Sequence, residues 1–462
     1  KNEFEYKGKM KLREKEKSAV LDKLKSIENV KQGTIKSVRK EKKKQLAPML
    51  HSLSTLQTTA NKKWKYSPNK TLDAIQKLYD KKMVTYPRTD TQYITENEFN
   101  YLKENINRYL SLYDLNHDMD YPNPRKRFVD GSQVQEHYAL VLTKSVNKSQ
   151  IEGLDSIQTN IFKEIYNTTL AMFLSDYEYE TTEVITSIKE CDFYSQGKID
   201  VKLGWKELFS EDPIKEEDNK LPNLQEGDVV EAKAKLYEGM TQPPKLYTEG
   251  QLINLMKSCG KLIDDEEDNA ILKEVEGIGT EATRASIIDT LKKREYINVV
   301  KNKVNITTKG QLLCKAVAGT LLSSPEMTAK WEKALKNIPE KKMNFDTFIS
   351  NTSKYINHQI NILDKELKEN DISNYIKSVQ DDKPLNTSKK NSHKALGGCP
   401  KCQKSQVKKI KSKKGTVFYA CGNSDCKFVI FESMAGAKLS QKIIVELITN
   451  RKTKNKVKGF KS

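Results

Sequence analysis

The chain has 462 residues, of which 36% are hydrophobic, and its 81 Lys and Arg residues exceed its 62 Asp and Glu residues by 19. This length allows several domains with their own cores, and the positive charge favours a polyanionic partner such as nucleic acid over a basic protein that is merely soluble. No apolar run approaches membrane-spanning length, no signal-peptide pattern is present, and the cysteine distribution argues against a disulfide framework.

The first part of the chain is dense in Lys and Glu. Residues 33–40 alternate apolar and polar side chains, which predicts a strand, and the charge run at 40–44 predicts a solvated face. From 47 to about 169 the spacing of apolar residues predicts mostly helices. Within this region Thr95 and Glu98 have the spacing of a capping box that opens a helix.

The stretch 83–91 holds a tyrosine, an arginine and an acid within five positions, with a proline after the tyrosine. Pro87 drives Tyr86 into an extended conformation, in which alternate residues share one face. Tyr86, Arg88 and Asp90 are therefore expected together, with the planar guanidinium able to hold a phosphate beside the phenol. This arrangement suits attack of the tyrosine on a phosphate, whereas the alternative is a packed Tyr-Pro loop with solvated charges.

Three segments carry a family resemblance: 56–61, 70–79 and 84–90. Together they resemble the active-site region of type IA DNA topoisomerases, and the wording Tyr-Pro-Arg-Thr-Asp resembles the topoisomerase III branch. The resemblance implies that Tyr86 is the nucleophile that cuts one DNA strand and keeps its 5′ phosphate, and that Arg88 contacts the scissile phosphate. In these segments we expect DNA contacts from four polar side chains: Gln57, Asn61, Gln76 and Asp90.

A histidine, His137, stands between Glu136 and Tyr138 before an apolar stretch that predicts a strand. Such a histidine can be a general acid or a phosphate ligand, although a lone histidine is more often an ordinary packed residue. The segment 134–143 resembles the family's second active-site segment, with His137 on its histidine. Leu142 stands where the family has Pro, and Tyr138 where it often has His or Glu.

Two alternating stretches, 177–186 and 228–236, predict strands separated by a polar loop at 210–220. The resemblance implies that these strands form the second leg of a β-rich arch, which can act as a hinge. Two prolines then end the strand, and Thr248 caps a helix. The segment 241–252 resembles a Pro-Pro and Tyr-Thr-Glu segment of the family, with Leu246 in place of its Arg.

The stretch 277–285 imitates a dinucleotide-binding pattern, but the segment before it is short and charged, and no acid follows at the ribose-binding distance. It instead predicts a glycine turn that feeds a helix N-terminus, where Thr283 and Arg284 could hold a DNA phosphate. The alternative is a plain helix start with a surface arginine. The stretch resembles the family's Gly-Ile-Gly-Thr-Pro-Ala-Thr-Arg-Ala motif, with Glu281 in place of Pro. A helix and two short strands up to 307 then predict a winged-helix arrangement, followed by helices to about 376.

Four cysteines late in the chain form two pairs, namely Cys399 with Cys402 and Cys421 with Cys426. Their spacing predicts a tetrahedral structural zinc site, although the second pair is wider than usual, and the alternative is unpaired structural cysteines. Nearby aromatic residues among lysines predict a platform for single-stranded DNA: Phe418, Tyr419 and Phe428.

The expected fold class is multidomain α+β, with a type IA topoisomerase core of helical domains joined by a β-rich arch, and a C-terminal zinc ribbon. The expected organisation in chain order is a first arch leg (1–46), a helical domain with the tyrosine (47–170), a second arch leg (171–246), a helical and winged-helix-like DNA-binding domain (247–378), a linker (379–396), the ribbon (397–432) and a truncated C-terminal repeat (433–462).

The resemblance implies ATP-independent cleavage, strand passage and religation that relaxes or decatenates DNA, and the sequence has no P-loop motif. It implies Mg²⁺ held by a Toprim domain that would precede the residues present here. The chain is therefore expected to be an incomplete enzyme, which binds single-stranded DNA and relaxes little or none. It is also expected to be a monomer of the bacterial cytoplasm and nucleoid, with no membrane partner.

Two other enzyme classes form phosphotyrosine. Relaxases need a His-x-His metal cluster, which the five scattered histidines do not give, and recombinases place the tyrosine late in the chain, after Arg and His. The alternative that stays open is a non-catalytic, single-stranded DNA-binding fragment with a zinc ribbon.

Overall fold

The computed structural model describes residues 5–10, 17–117, 119–209, 220–263, 265–369, 396–411, 417–423, 425–434, 436–457 and 459. The chain divides into two compact units, Lys1–Ile376 and Lys377–Ser462. Apart from its last residue, the predicted linker at 379–396 lies outside the described residues, as does nearly all of the predicted loop at 210–220.

A four-stranded antiparallel sheet in the first unit has the order β3-β2-β1-β4: β1 (Gln32–Gln45), β2 (Tyr177–Ile188), β3 (Cys191–Lys202) and β4 (Val229–Glu231). The strands predicted at 33–40 and 177–186 are confirmed as parts of β1 and β2. The expected solvated charge run is also part of β1, and its backbone pairs with β2 while most of its side chains stay exposed.

Two features of this sheet differ from the prediction. β4 stops at Glu231, although the alternating pattern continues to residue 236. β3 was not predicted, because the tight connection from β2 is Lys189-Glu190 and lacks the Asn-Gly or Asp-Gly signal of a hairpin. Lys189 nevertheless adopts the left-handed conformation, with φ of 53°, that such a turn requires.

The first unit's main core lies among helices: α1 (Lys17–Ile27), α2 (Leu53–Trp64), α3 (Pro68–Asp80), α4 (Glu96–Glu104), α5 (Ile106–Ser111), α6 (Lys148–Glu152) and α7 (Ser156–Ala171), of which α2 to α5 and α7 contribute buried apolar residues. Ser52 and Ser67 cap α2 and α3, and the predicted capping box of Thr95 and Glu98 is present at α4. Caps of this kind satisfy the free amides of the first turn and fix where each helix begins.

A buried carboxylate, Glu164 of α7, lies where three elements of this core meet. Lys63 at the end of α2 donates to one carboxylate oxygen, and His51 Nε2 lies 3.5 Å from the other. Burial pushes the pKa of Glu164 up, but His51 and Lys63 outweigh burial and leave the pKa below its ordinary value. The ionised form of Glu164 therefore stabilises the folded chain above the ordinary carboxyl pKa, and this contribution is lost as the pH falls through the lowered pKa.

We expect Glu164→Gln to lower the free energy of unfolding at pH 7 by about 1–3 kcal/mol, because it removes the buried charge that Lys63 and the buried His51 contact. The difference in the free energy of unfolding between variant and wild type should become smaller as the pH falls, because wild type then loses the charge of Glu164 as well. Urea denaturation at pH 7 and in acid measures it, with Glu152→Gln at an exposed helix end as the control. Equal stability of the Glu164 variant and wild type at pH 7 would contradict this role.

The later part of the first unit contains α8 (Glu249–Lys257), α9 (Glu266–Glu274), α10 (Arg284–Lys293), β5 (Ile297–Val300), β6 (Lys303–Ile306), α11 (Thr308–Ala316), α12 (Glu326–Asn337) and α13 (Phe345–Glu369). Thr248 caps α8 as predicted. β5 and β6 form an antiparallel ribbon after α10, which is the element order expected of a winged helix. Within the described ranges, no helix combines the length and apolarity needed to cross a membrane.

The second unit has its own small core. Its elements are β7 (Val407–Lys411), β8 (Val417–Cys421), β9 (Val429–Phe431), β10 (Ser433–Met434), β11 (Ala437–Lys438) and α14 (Gln441–Asn450). Tyr419 is fully buried in this core, so its predicted role as a stacking surface is wrong. Phe418 and Phe428 are half-buried, and Phe418 contacts the exposed Phe431 on the neighbouring strand.

Candidate active site

The stretch that carries Tyr86 is irregular, with bends at residues 83, 85 and 87, and it lies against a second segment at 139–143. Thr85 N donates to Val141 O at 3.0 Å, and Thr143 N donates to Met83 O at 3.2 Å. Pro87 is buried while Tyr86 is half-buried and Arg88 is exposed. Exposure therefore alternates from residue 86 to residue 90, as the sequence predicted, although the backbone is bent rather than a regular strand.

The same pairing brings His137 to the tyrosine. Thr89 Oγ1 donates to His137 O at 3.3 Å, and Thr85 Oγ1 donates to Ala139 O at 3.1 Å. The rings of Tyr86 and His137 lie with centroids 4.3 Å apart and planes tilted by 42°. Two residues that are 51 positions apart in the sequence (86 and 137) thus share one site.

The strand predicted after His137 is wrong in its form. Residues 139–142 make only isolated bridges, His51 with Leu140 and Val84 with Leu142, rather than a ladder. This segment pairs once with His51, just before α2, and once with the tyrosine stretch, so neither pairing is long enough to form a strand. Its two-sided pairing nevertheless fixes the backbone that leads from His137.

A cavity of about 490 Å³ opens beside the tyrosine. Its lining mixes aromatic, charged and small side chains: Tyr79, Asp80, Lys82, Val84, Thr85, Tyr86, His137, Tyr138 and Thr143. Tyr79 of α3 meets the Tyr86 ring edge-on, with the ring centroids 5.5 Å apart. Burial raises the pKa of Tyr138, which keeps that phenol neutral. Tyr86 is part of this lining, so the cavity lies directly beside its side chain.

Arg88 is exposed, and in the described part of the chain no hydrogen bond or ion pair engages its guanidinium. The backbone that follows it is held, because Leu53 N donates to Thr89 O at 3.0 Å and Lys257 Nζ donates to Asp90 O at 3.2 Å. A charged fork on a fixed backbone, without a protein partner, is suited to an anionic ligand.

Two of the residues predicted to contact DNA are enclosed in the protein. Gln57 is fully buried and donates to Pro68 O at 3.2 Å, at the start of α3. Asn61 is also buried and donates to Tyr66 O and to Asn302 Oδ1, both at 2.9 Å. Their predicted DNA contacts are wrong for this conformation, because both amides serve to join elements of the fold.

Arg284 is likewise fully buried, so its expected phosphate contact is wrong. Its guanidinium donates to Glu281 Oε1 at 2.8 Å and to the carbonyls of Glu276, Ile278 and Gly279. The glycine turn predicted before Arg284 is present in the structure. Gly277 has φ of +83°, and a Cβ there would lie 2.1 Å from Met256 O.

The other predicted DNA contacts remain accessible. Thr283 and Asp90 are exposed, and Gln76 is half-buried beside Asp80, with its amide 2.9 Å from that carboxylate. The residues that sequence reasoning missed near the site are Lys257 and Glu281. Their only signal was the charged Glu281 within a glycine-rich motif.

The four cysteines of the second unit lie together as predicted. Their Sγ atoms are all within 4.8 Å of one another, with Cys399 and Cys426 3.7 Å apart and Cys402 and Cys421 3.5 Å apart. Tetrahedral zinc with Zn–S bonds of about 2.3 Å places its sulfurs at roughly these separations. The cluster could therefore bind zinc.

Comparison with known proteins gives matches over most of the chain. A family model described as DNA topoisomerase matches residues 1–350. DNA topoisomerase 1 of Alkalihalophilus pseudofirmus is 31% identical over 446 residues, which are 93% of this chain and 59% of that protein. DNA topoisomerase 3 of Staphylococcus saprophyticus is 31% identical over 417 residues, 88% of this chain and 55% of that protein.

The chain thus spans between half and three fifths of the length of these curated relatives. A solved structure of full-length topoisomerase I from Thermotoga maritima covers 88% of this chain with 61% of its own, at a TM-score of 0.52 and 21% identity, and so supports the fold. The family match, the identity to named relatives and the shared fold agree. The chain belongs to the family of type IA DNA topoisomerases.

Proposed function

We propose that Tyr86 is the nucleophile of a type IA topoisomerase reaction on single-stranded DNA. The observation that carries this proposal is the half-buried Tyr86, which lines a cavity and lies with its ring against His137. Two positions further on is Arg88, whose guanidinium has no protein partner among the residues that the structure describes. A tyrosine can act as a nucleophile towards phosphate, and a nearby guanidinium and imidazole can stabilise the charge that develops there.

The reaction forms a bond between the Tyr86 oxygen and a backbone phosphorus while the bond from that phosphorus to the 3′ oxygen breaks. The phenol loses its proton, and the 3′ oxygen gains one. The downstream strand is then held as a 5′-phosphotyrosine. Because the phosphate ester is conserved, the 3′ hydroxyl can attack it and restore the strand without ATP. A second strand passes before religation, which relaxes or decatenates the DNA.

The side chains around the tyrosine have distinct proposed roles. Arg88 stabilises negative charge that develops on the phosphate, and His137 acts as a phosphate ligand or general acid. Gln76, Asp90 and Thr283 are accessible and are proposed to contact the strand. The antiparallel sheet of β1 to β4 is proposed to be the arch that moves the helical domain.

Two metals enter the proposal differently. Zinc fits the four cysteines, which would hold it as a structural ion. No set of magnesium ligands is seen in the described ranges, where these cysteines are the only group of three or more His, Cys, Asp or Glu residues that could hold a metal. Mg²⁺ is therefore proposed from the family alone, and no step above depends on it. A monomer associated with the bacterial nucleoid is the proposed acting form.

Labelling the two ends of an oligonucleotide tests this proposal. The 462-residue chain is incubated with single-stranded DNA that carries a fluorophore at its 3′ or its 5′ end, with and without Mg²⁺, and is then denatured. We expect the 3′ label to stay with the denatured protein, since a 5′-phosphotyrosine holds the downstream fragment. Retention of the 5′ label would contradict it. Native binding without either covalent product would favour the alternative of a non-catalytic binding fragment.

A further inference from the structure

A buried carboxylate links the glycine-rich motif at 277–285 to the start of α2. Glu281 is 5% exposed and accepts three hydrogen bonds. Ser54 N donates to Oε2 at 2.6 Å, while Lys257 Nζ at 3.2 Å and Arg284 Nη1 at 2.8 Å donate to Oε1. One acid thus joins α2, α8 and α10.

This cluster extends to the tyrosine stretch by two routes. Lys257 Nζ, which also donates a hydrogen bond to Glu281, donates one to Asp90 O. In the first turn of α2, Ser54 N donates a hydrogen bond to Glu281, and the preceding amide, Leu53 N, donates one to Thr89 O. Both carbonyls that directly follow Arg88 are therefore bonded to groups that Glu281 fixes.

The same contacts prevent Arg284 of the motif at 277–285 from binding a DNA phosphate in this structure. Arg284 is 0% exposed and spends its donors on Glu281, on Ser54 Oγ at 3.3 Å and on three carbonyls of the turn. A guanidinium in this state has no donor left for a DNA phosphate. The buried charges are instead balanced within the cluster, where Lys257 also lies 3.0 Å from Glu276. Removing one member of such a cluster leaves the others unpaired and allows the backbone to shift.

We propose that Glu281 is a positioning residue for DNA cleavage, which acts by fixing the backbone at residues 89 and 90 and thereby aiming Arg88. This inference rests on the proposed function, since it assigns a second set of residues to the same site. The motif at 277–285 then contributes to the reaction by holding the backbone next to Arg88 in place, rather than by binding a phosphate.

The test compares the affinity for DNA with the rate of covalent capture. For Glu281→Gln we expect the rate at saturating single-stranded oligonucleotide to fall by about 10- to 100-fold, since small misplacements of a catalytic group have effects of this size. The dissociation constant should stay nearly unchanged. Lys257→Met removes the link to Asp90 together with the ion pairs of Lys257 to Glu281 and Glu276, but it leaves the route through Ser54 and Leu53 intact. It should lower the rate in the same direction but less, which keeps the test valid if the Glu281 variant does not fold.

A matched control is available between the same helices. Glu249 of α8 is 4% exposed and pairs with Lys292 of α10 at 2.6 Å. Among the described residues, no hydrogen bond or ion pair joins Glu249 to residues 89 and 90. Glu249→Gln should lower the unfolding temperature without lowering the capture rate. In the background of Arg88→Ala, Glu281→Gln should cause little further loss, because both changes act through one group.

The outcomes separate this inference from the function on which it rests. If wild type captures DNA and Glu281→Gln does so at the same rate, the positioning role is wrong while the proposed function stands. If the rates of Glu281→Gln and Glu249→Gln fall alike, or if the losses from Arg88→Ala and Glu281→Gln multiply, the effect is general stability and the inference is also wrong. If wild type captures no DNA, the proposed function itself fails.

Discussion

Tyr86→Phe is expected to abolish covalent capture of single-stranded DNA while leaving the affinity for that DNA nearly unchanged. The substitution removes one oxygen and keeps the ring, so the contacts with His137 and Tyr79 are retained. Without a nucleophile the remaining groups can only bind, and losses of about 10⁴-fold or more are usual when a nucleophile is removed. Gel analysis of denatured complexes, next to fluorescence anisotropy of native ones, measures both quantities.

Tyr93→Phe is the control for this substitution. Tyr93 lies seven positions further along the same connection (86 to 93), is half-buried, and has no side-chain hydrogen bond within the described residues. It should capture DNA at the wild-type rate. Residual capture by Tyr86→Phe at a comparable rate would mean that another group forms the covalent bond.

Removal of zinc is expected to unfold the second unit and to leave the first unit folded. The second unit has only a small apolar core, in which the four cysteines pack together with residues such as Val407 and Tyr419. Zinc binding to such ribbons contributes about 10–16 kcal/mol, which is folding free energy for a domain of this size. Dialysis against a strong chelator, followed by limited proteolysis, should give rapid cleavage after residue 377 and a protected first unit.

Cysteine substitutions separate loss of zinc from loss of any thiol. Cys402→Ser should reduce bound zinc, measured by elemental analysis, from one ion per chain to a small fraction. Cys314→Ser changes an exposed cysteine outside the cluster and should retain the full amount. A second unit that resists proteolysis equally well with and without metal would contradict a structural zinc site.

Local sequence signals predicted the parts of the fold that depend on neighbours in the chain. The alternation around Pro87 predicted the alternating exposure of residues 86–90, and the caps at Thr95 and Thr248 predicted helix starts. Each of these features depends on residues within four positions of one another. The four cysteines were also predicted together, because their ligand spacing is itself the signal.

The failures arose where a distant partner decides whether a polar residue is buried. Arg284 and Gln57 have the side chains of surface DNA contacts, but the fold encloses them. Arg284 meets Ser54 across 230 positions, and nothing near either residue announces that contact. The cluster formed by Glu281 and Lys257 was missed for the same reason, since it exists only after α2, α8 and α10 pack together.

The most direct test of the central claim is to identify the atom that carries the DNA. Complexes formed by the 462-residue chain are denatured, digested with nuclease and protease, and sequenced by tandem mass spectrometry. The account predicts one modified peptide, with a nucleotide joined through its 5′ phosphate to Tyr86. A nucleotide on any other residue, or tight DNA binding with no modified peptide in the presence of Mg²⁺, would contradict it.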